Sequence, residues 1–226
     1  MMFVVISLGG SLIVQDKPDI KYIKTLAQII RKSPHKFGIV AGGGKVARIF
    51  AQAARDLGAS EFEADEAAID STRQNARLIT IALKGMACPH VFNDFEKAYE
   101  AAQKYKVVVM GGTIPGITTD TDAALLAEKV GAKRILNLSN VDGVYSANPH
   151  VDKKAKKFKR MTYQQLLELA GRSDSRKAGT HFVFDFVACK MIGRSGIETH
   201  FINGRNLDSL KAAIDGKPHS GTIVRE

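Results

Sequence analysis

The chain has 226 residues, 45% of them hydrophobic, and a formal net charge of +10. Its length allows one large domain or two small ones, and no run of about 20 apolar residues predicts a membrane-spanning helix. The lysines and arginines are spread along the chain, and their densest run, 153–160, lacks the motifs of nucleic-acid-binding modules, so we predict neither a membrane nor a nucleic acid as partner. The start of the chain lacks the features of a secretion signal, which favours the cytoplasm, and the isolated Cys88 and Cys189 are predicted to be free thiols.

Apolar runs that predict buried strands alternate along the chain with amphipathic helices. The strand candidates are 3–8, 37–41, 107–110, 134–138 and 199–202. Between them, apolar residues recur at helical spacing, which predicts helices whose apolar faces join the core. The sets are Ile20, Ile23, Ala27 and Ile30, then Val46, Ile49, Phe50, Ala53 and Leu57, then Ala123, Leu126, Ala127 and Val130. This alternation predicts an α/β fold with a mainly parallel sheet, in a single domain spanning 1–226.

The helix-rich segment 61–86 carries more polar side chains than a helix needs for packing alone. They are Asp65, Asp70, Thr72, Arg73 and Asn75. We therefore expect this segment to border a site.

Three of the predicted strands end in glycine clusters, at 9–10, 42–44 and 111–112. In an open parallel α/β sheet, ligands bind at the carboxyl ends of the strands. Glycine there lets backbone N–H groups approach an anion, and the following helix adds its positive end. Three such ends predict several phosphates along one edge of the sheet.

Two other interpretations of the glycines remain open at this point. Each cluster alone could serve only a tight turn between strand and helix. Segment 42–47 also fits the G-x-G-x-x-A form of the dinucleotide fingerprint, with acidic residues at 61–65 about 20 residues further on. That pattern is short and leaves the other two glycine ends unexplained. The P-loop pattern G-x-x-x-x-G-K-[ST] is absent.

Four segments, 7–11, 42–48, 111–120 and 140–149, follow one another in the order found in archaeal uridylate kinases of the amino-acid kinase superfamily. The chain resembles that family over essentially its whole length. The most specific match is G-G-T-x-P-G-x-T-T-D at 111–120. The resemblance implies a three-layer α/β fold with helices on both faces of the sheet, an acceptor side at roughly 1–130 and an ATP side at roughly 131–226.

The same resemblance implies transfer of the γ-phosphoryl group from ATP to UMP and assigns residues to the two nucleotides. ATP would contact Ser7, Leu8, Gly9, Gly10, Ser11, Gly44, Arg48, Ser139, Asn140, Tyr145 and Asn148. UMP would contact Gly43, Asp65, Thr113, Ile114, Pro115, Gly116, Ile117, Thr118 and Thr119. Within the second set, 113–119 would form the loop over the UMP phosphate, and Asp65 would accept from a ribose hydroxyl.

Three residues are expected to serve the transfer itself. Asp120 corresponds to the organising aspartate of the superfamily. Ser7 stands where most of the superfamily has a lysine, so another cation must neutralise the developing charge, and the candidates are Arg48 and Lys45. Mg²⁺ is expected to enter with ATP, because no carboxylate cluster predicts a dedicated metal site.

Other functions within and outside this family remain alternatives. The chain could phosphorylate carbamate, an N-acetylated amino acid or isopentenyl phosphate, although the acceptor loop, residues 113–119, matches the UMP type. It could also be a nucleotide-binding storage or sensor protein without turnover, an interpretation that Ser7 keeps open, and a dinucleotide-dependent oxidoreductase is the more distant alternative. The resemblance further implies a homo-oligomer, a hexamer built from dimers.

Overall fold

A central sheet of eight strands organises the chain, whose computed structural model describes residues 1–147, 149, 151–173 and 184–226. The strands are β1 Phe3–Leu8, β2 Lys36–Ala41, β3 Ala87–Phe92, β4 Val107–Met110, β5 Arg134–Ser139, β6 Arg160–Met161, β7 Glu198–Asn203 and β8 Thr222–Val224. The helices of the described ranges are α1 Gly10–Ile13, α2 Ile20–Lys32, α3 Gly44–Asp56, α4 Glu61–Ala82, α5 Phe95–Lys104, α6 Thr119–Lys129, α7 Tyr163–Ser173, α8 Phe186–Ser195 and α9 Leu207–Ile214.

Strand β1 lies at the point where the chain changes direction across the sheet. The strand order is β3-β4-β2-β1-β5-β7-β8-β6, so the chain builds one side of β1 with β2, β3 and β4 before it crosses to β5. All these pairs are parallel except β7 with β8. Leu8 is in register with Ala41 on one side and Leu138 on the other, so the carboxyl ends of the three central strands meet at one edge. This switch point is where parallel α/β sheets bind ligands.

Both faces of the sheet are covered by helices. Alternate residues of β1 divide between two hydrophobic clusters, with Val4, Ile6 and Leu8 facing one and Val5 the other. The first cluster includes residues of α2, α4 and α9, and the second includes residues of α5, α6, α7 and α8. Burial on two faces explains the continuous apolar runs of the strands. The predicted three-layer α/β fold is confirmed, as are the five predicted strands.

The apolar residues of α3 were predicted to face the core, and this prediction holds for Val46, which packs against the first hydrophobic cluster, but is wrong for the rest of the set. Ile49 and Phe50 are 55% and 56% exposed and Leu57 is 88% exposed, whereas the buried residues of α3 are Ala47 and Ala51. The helix packs against α4, and Ile49, Phe50 and Leu57 are left on the outer surface. Helical spacing indicates that a helix has an apolar face, but it does not indicate which surface covers that face.

Three strands, β3, β6 and β8, were not predicted from the sequence, each for a local reason. Strand β3 lies at an edge, and its sequence includes Pro89 and the exposed His90. Strands β6 and β8 have two and three residues, too few for any periodicity. In the described ranges, both cysteines are buried and free, and no helix has the length and apolarity needed to cross a bilayer.

Candidate active site

The glycine loops after β1 and β2, residues 9–11 and 42–44, touch through their backbones. A Cβ atom on Gly10 would lie 2.2 Å from the backbone nitrogen of Gly44 and 2.5 Å from the carbonyl oxygen of Gly42. Gly44 has φ +66°, a left-handed conformation that other residues rarely adopt. Glycine is therefore required here by close approach of two backbones, and the turn-only interpretation is insufficient.

Helices α1 and α3 begin at these loops without side-chain caps. Their N-cap residues are Gly9 and Gly43, which offer no hydrogen-bond acceptor to the first-turn N–H groups. Other helices of the described ranges are capped by side chains, namely those of Asp19, Ser60, Asp94, Thr118, Asp185 and Asn206. Uncapped N–H groups and the positive helix end make α3, with its 13 residues, suited to bind an anion.

Helix α4 braces the glycine-rich ends of β2 and β4. The Asn75 amide donates to the carbonyl oxygens of Gly42 and Gly43 at 2.8 and 3.3 Å. The Thr72 hydroxyl accepts from the N–H of Gly112 at 2.6 Å. The polar residues predicted to border a site thus fix the backbone that would line it.

The acceptor loop, residues 113–119, follows β4 and crosses toward α6. Its Gly116 N–H donates to Asp65 Oδ2 at 2.9 Å, and its Thr118 hydroxyl donates to Asp185 Oδ2 at 2.5 Å. Thr118 also caps α6 by accepting from the N–H groups of Asp120 and Thr121. Asp65, expected to contact a ribose, therefore holds the loop with one oxygen. The loop residues expected to bind UMP lie at the same sheet edge as Gly43.

Asp120 joins α6 to the two central strands. Its Oδ1 accepts from the Ser7 hydroxyl at 2.5 Å and from the Asn137 amide at 2.8 Å, and Ser7 and Asn137 are neighbours in β1 and β5. Burial raises the pKa of Asp120 to about 7, the two hydrogen bonds oppose that rise, and the charge of Asp185 adds to it. Ser7 thus holds the aspartate in place. Asn137 was missed, although a lone amide in an apolar strand was a usable signal.

The two candidate cations differ in their surroundings. Lys45 Nζ lies 2.6 Å from Asp16 Oδ1 in an exposed ion pair. Arg48 is exposed on the first turns of α3, and no residue of the described ranges forms an ion pair with its guanidinium. Arg48 is the freer of the two to reach a ligand at the glycine loops. No group of three or more His, Cys, Asp or Glu in the described ranges is arranged to hold a metal ion.

Comparison with known proteins connects this geometry to a family. A model of the amino acid kinase family matches residues 2–203. The chain belongs to the amino acid kinase family. It is 44% identical over 225 residues to the uridylate kinase of Thermococcus onnurineus, which covers 99% of each chain, and 46% identical over 224 residues to that of Archaeoglobus fulgidus, which covers 99% of this chain and all of the other.

Solved structures of this family share the fold. The crystal structure of uridylate kinase from Archaeoglobus fulgidus aligns with a TM-score of 0.87 and 42% identity, covering 99% of this chain and 100% of the other. The UMP kinase from Bacillus anthracis aligns with a TM-score of 0.80 at 21% identity, covering 99% and 96%, which shows the common fold alone. The amino acid kinase architecture thus extends over the whole chain.

Within this family architecture, the predicted ATP wall lies beyond the carboxyl end of β5. Ser139 ends that strand, and the exposed Asn140 follows it. The Tyr145 hydroxyl donates to Asp142 Oδ1 at 2.7 Å, and Lys157 Nζ donates to Asp142 Oδ2 at 2.6 Å. These contacts hold the tyrosine ring at the wall. Asn148, the remaining predicted ATP contact, lies outside the described residues.

A chain of imidazoles anchors β8, which supports this wall. The Thr222 hydroxyl in β8 accepts from the N–H of Val144 at 2.8 Å. Just before it, the N–H of Gly221 donates to His219 Nδ1 at 3.0 Å, so His219 carries its proton on Nε2. His219 Nε2 therefore donates to His200 Nδ1, and the two nitrogens lie 2.7 Å apart. The buried His200 in turn donates from Nε2 to Glu198 at 2.8 Å. Both rings are thus neutral in this arrangement.

Proposed function

We propose that this chain is a uridylate kinase that transfers the γ-phosphoryl group of ATP to UMP, giving UDP and ADP for pyrimidine nucleotide synthesis in the cytoplasm. The observation that carries the proposal is the backbone contact of two glycine loops, each opening an uncapped helix, at the switch point of the sheet. Such an edge suits two phosphate groups that must meet. The full-length archaeal relatives named uridylate kinase support UMP as the acceptor.

Each site group has a role that follows from its chemistry. Phosphoryl transfer passes through a loose transition state with charge on the equatorial oxygens, so fixed N–H groups and a guanidinium supply most of the stabilisation. The N–H groups of the glycine loops and Arg48 would serve this purpose. Asp120, held by Ser7 and Asn137, would orient the donors around the transferred group, and no covalent intermediate is needed.

Mg²⁺ would enter with ATP and neutralise charge on its β- and γ-phosphates. The ion prefers oxygen ligands and retains several waters, and it is commonly held by one or two carboxylates together with substrate phosphates. The site fits that mode, since the described residues offer the Asp120 carboxylate without a cage of three ligands.

A direct assay tests the proposal. Purified protein is incubated with MgATP and a panel of UMP, CMP, AMP, dUMP, carbamate, N-acetylglutamate and isopentenyl phosphate, and ADP release is followed. We expect UMP to give the highest kcat/KM. ADP release with none of the acceptors would favour a storage or sensor protein, and a preference for a non-nucleotide acceptor would reassign the kinase within its family.

We further propose that the kinase is a homo-oligomer. The family resemblance implies a hexamer. The exposed apolar residues of α3, together with Phe62 at the start of α4, form a surface that a second copy would cover. Light scattering after size-exclusion chromatography measures the mass. A monomer at micromolar concentration would contradict the proposal. Phe50→Asp should reduce the assembly, whereas Val151→Asp, a change of another exposed apolar residue outside α3 and α4, should not.

A further inference from the structure

Asp122, in the first turn of α6, is the least exposed carboxylate of the described residues, with 1% of its surface accessible. Both its oxygens accept from one residue, Thr113, the first of the acceptor loop. Oδ1 accepts from the Thr113 hydroxyl at 2.6 Å, and Oδ2 accepts from the Thr113 N–H at 3.2 Å. The expected UMP contacts did not include Asp122.

We propose that Asp122 is a positioning residue of the kinase, which sets the affinity for the nucleoside monophosphate by fixing the start of the acceptor loop through Thr113. The inference rests on the proposed function. It assigns Asp122 to binding of the acceptor and not to the chemical step. Asp122 affects the acceptor only through Thr113.

The polar groups of Thr113 all form hydrogen bonds with other residues of the chain. Its N–H and hydroxyl donate to Asp122, and its carbonyl oxygen accepts from Arg73 Nη2 at 3.2 Å. The hydroxyl proton is therefore not free to donate to a phosphate. Thr113 contributes the position of the loop, and the clamp from α6 and α4 holds that position from two sides.

A buried carboxylate costs free energy unless several good partners compensate it. The burial of Asp122 therefore indicates a role beyond packing. Asp122 has two hydrogen bonds and the positive end of α6. Thr113 has two donors, its hydroxyl and its N–H, and each points to a different oxygen of Asp122, so both carboxyl oxygens act as acceptors.

The clamp fixes one of three points at which carboxylates hold the loop. Asp65 holds Gly116 in the middle and Asp185 holds Thr118 at the end. Between the first two points lies Ile114, which is exposed. Without Asp122 the loop keeps its middle and its end, and its start is held from one side only, by Arg73, so the acceptor would have to complete the ordering of the groups that follow Thr113 when it binds. That ordering lowers affinity for the acceptor and leaves the bound complex competent.

Steady-state kinetics of Asp122→Asn with MgATP and UMP tests the proposal. The amide can accept only one of the two bonds, and loss of a hydrogen bond to a charged group is expected to raise KM for UMP about 10-fold or more. We expect kcat to stay within about 3-fold of wild type and KM for ATP to be unchanged. The matched control is Asp208→Asn, the same change at an exposed site in the first turn of α9, with no effect on any constant.

A double-mutant cycle with Thr113→Val separates positioning from a general loss of stability. This variant keeps the N–H and removes the hydroxyl, so it tests the clamp even if Asp122→Asn fails to fold. If Asp122 acts through Thr113, the double variant raises KM for UMP by less than the product of the two single effects.

Three outcomes would overturn the inference: an unchanged KM for UMP in folded Asp122→Asn, a fall in kcat with KM unchanged, or equal increases of KM for both nucleotides. A wild-type protein that phosphorylates no acceptor would instead refute the proposed function, which keeps the two failures apart.

Discussion

Replacing Gly10 with alanine tests whether the two glycine loops depend on direct backbone contact. The new Cβ would lie 2.2 Å from the nitrogen of Gly44, 2.5 Å from the oxygen of Gly42 and 2.5 Å from the carbonyl carbon of Gly43. These are backbone atoms, so no change of rotamer can relieve the overlap. One of the loops must therefore move by about 1 Å, since carbon atoms in contact sit about 3.5 Å or more apart.

The size of the effect follows from that overlap. Overpacking of a fixed environment costs about 1–3 kcal/mol, which for a chain of this length lowers Tm by roughly 2–12 °C. A displacement of about 1 Å at the phosphates can cost about 100-fold in rate. The matched control is Gly193→Ala inside α8, where the new Cβ would meet Tyr163 Cβ at an ordinary 3.4 Å. Alanine there should stabilise the helix by about 0.5–1 kcal/mol.

Thermal unfolding and MgATP-dependent phosphorylation of UMP measure both consequences. We expect Gly10→Ala to lose stability and about 100-fold in kcat/KM, and Gly193→Ala to lose neither. A Gly10→Ala protein with the Tm and kcat/KM of wild type would refute the argument that contact between the loops forms the site.

Three further experiments test separate parts of the molecule. Arg48→Ala should lower kcat at saturating substrates by about 10³ or more, whereas Lys45→Ala, already paired with Asp16, should stay near wild type; the reverse ranking would make Lys45 the catalytic cation. Asp120→Asn should fold normally and lose most of its kcat while nucleotide affinity holds, and a rise in KM alone would make Asp120 a binding residue. His200→Gln should flatten the pH dependence of urea unfolding. Burial lowers the pKa of His200 to about 4, so the neutral ring stabilises the fold fully above about pH 6.5 and that stabilisation is lost as pH falls from 6.5 toward 4. At pH 5 the wild type should have lost about 2 kcal/mol of this stabilisation. Equal slopes of the free energy of unfolding against pH in variant and wild type would contradict the expectation.

Local patterns were sufficient to predict an α/β fold with a mainly parallel sheet and the sheet edge at which the candidate site lies. The apolar runs of β1, β2, β4, β5 and β7 indicated strands buried on both faces, which occur in parallel sheets between helices. Glycine clusters after β1, β2 and β4 indicated anion sites, because parallel strands end at a common edge. The resemblance then placed the acceptor loop at 113–119. Each of these inferences uses neighbouring residues and a fixed period or spacing.

Tertiary structure alone decided how the polar groups are paired and which apolar faces are covered. The bond from Ser7 to Asp120 joins residues 113 positions apart, and the bond from Lys45 to Asp16 crosses 29 positions. No local spacing encodes such contacts. The α3 stripe shows the same limit, since its period marked an apolar face at Ile49 and Phe50 and could not tell that this face points outward. Composition and period determine which groups a segment offers, whereas long-range packing determines what those groups meet.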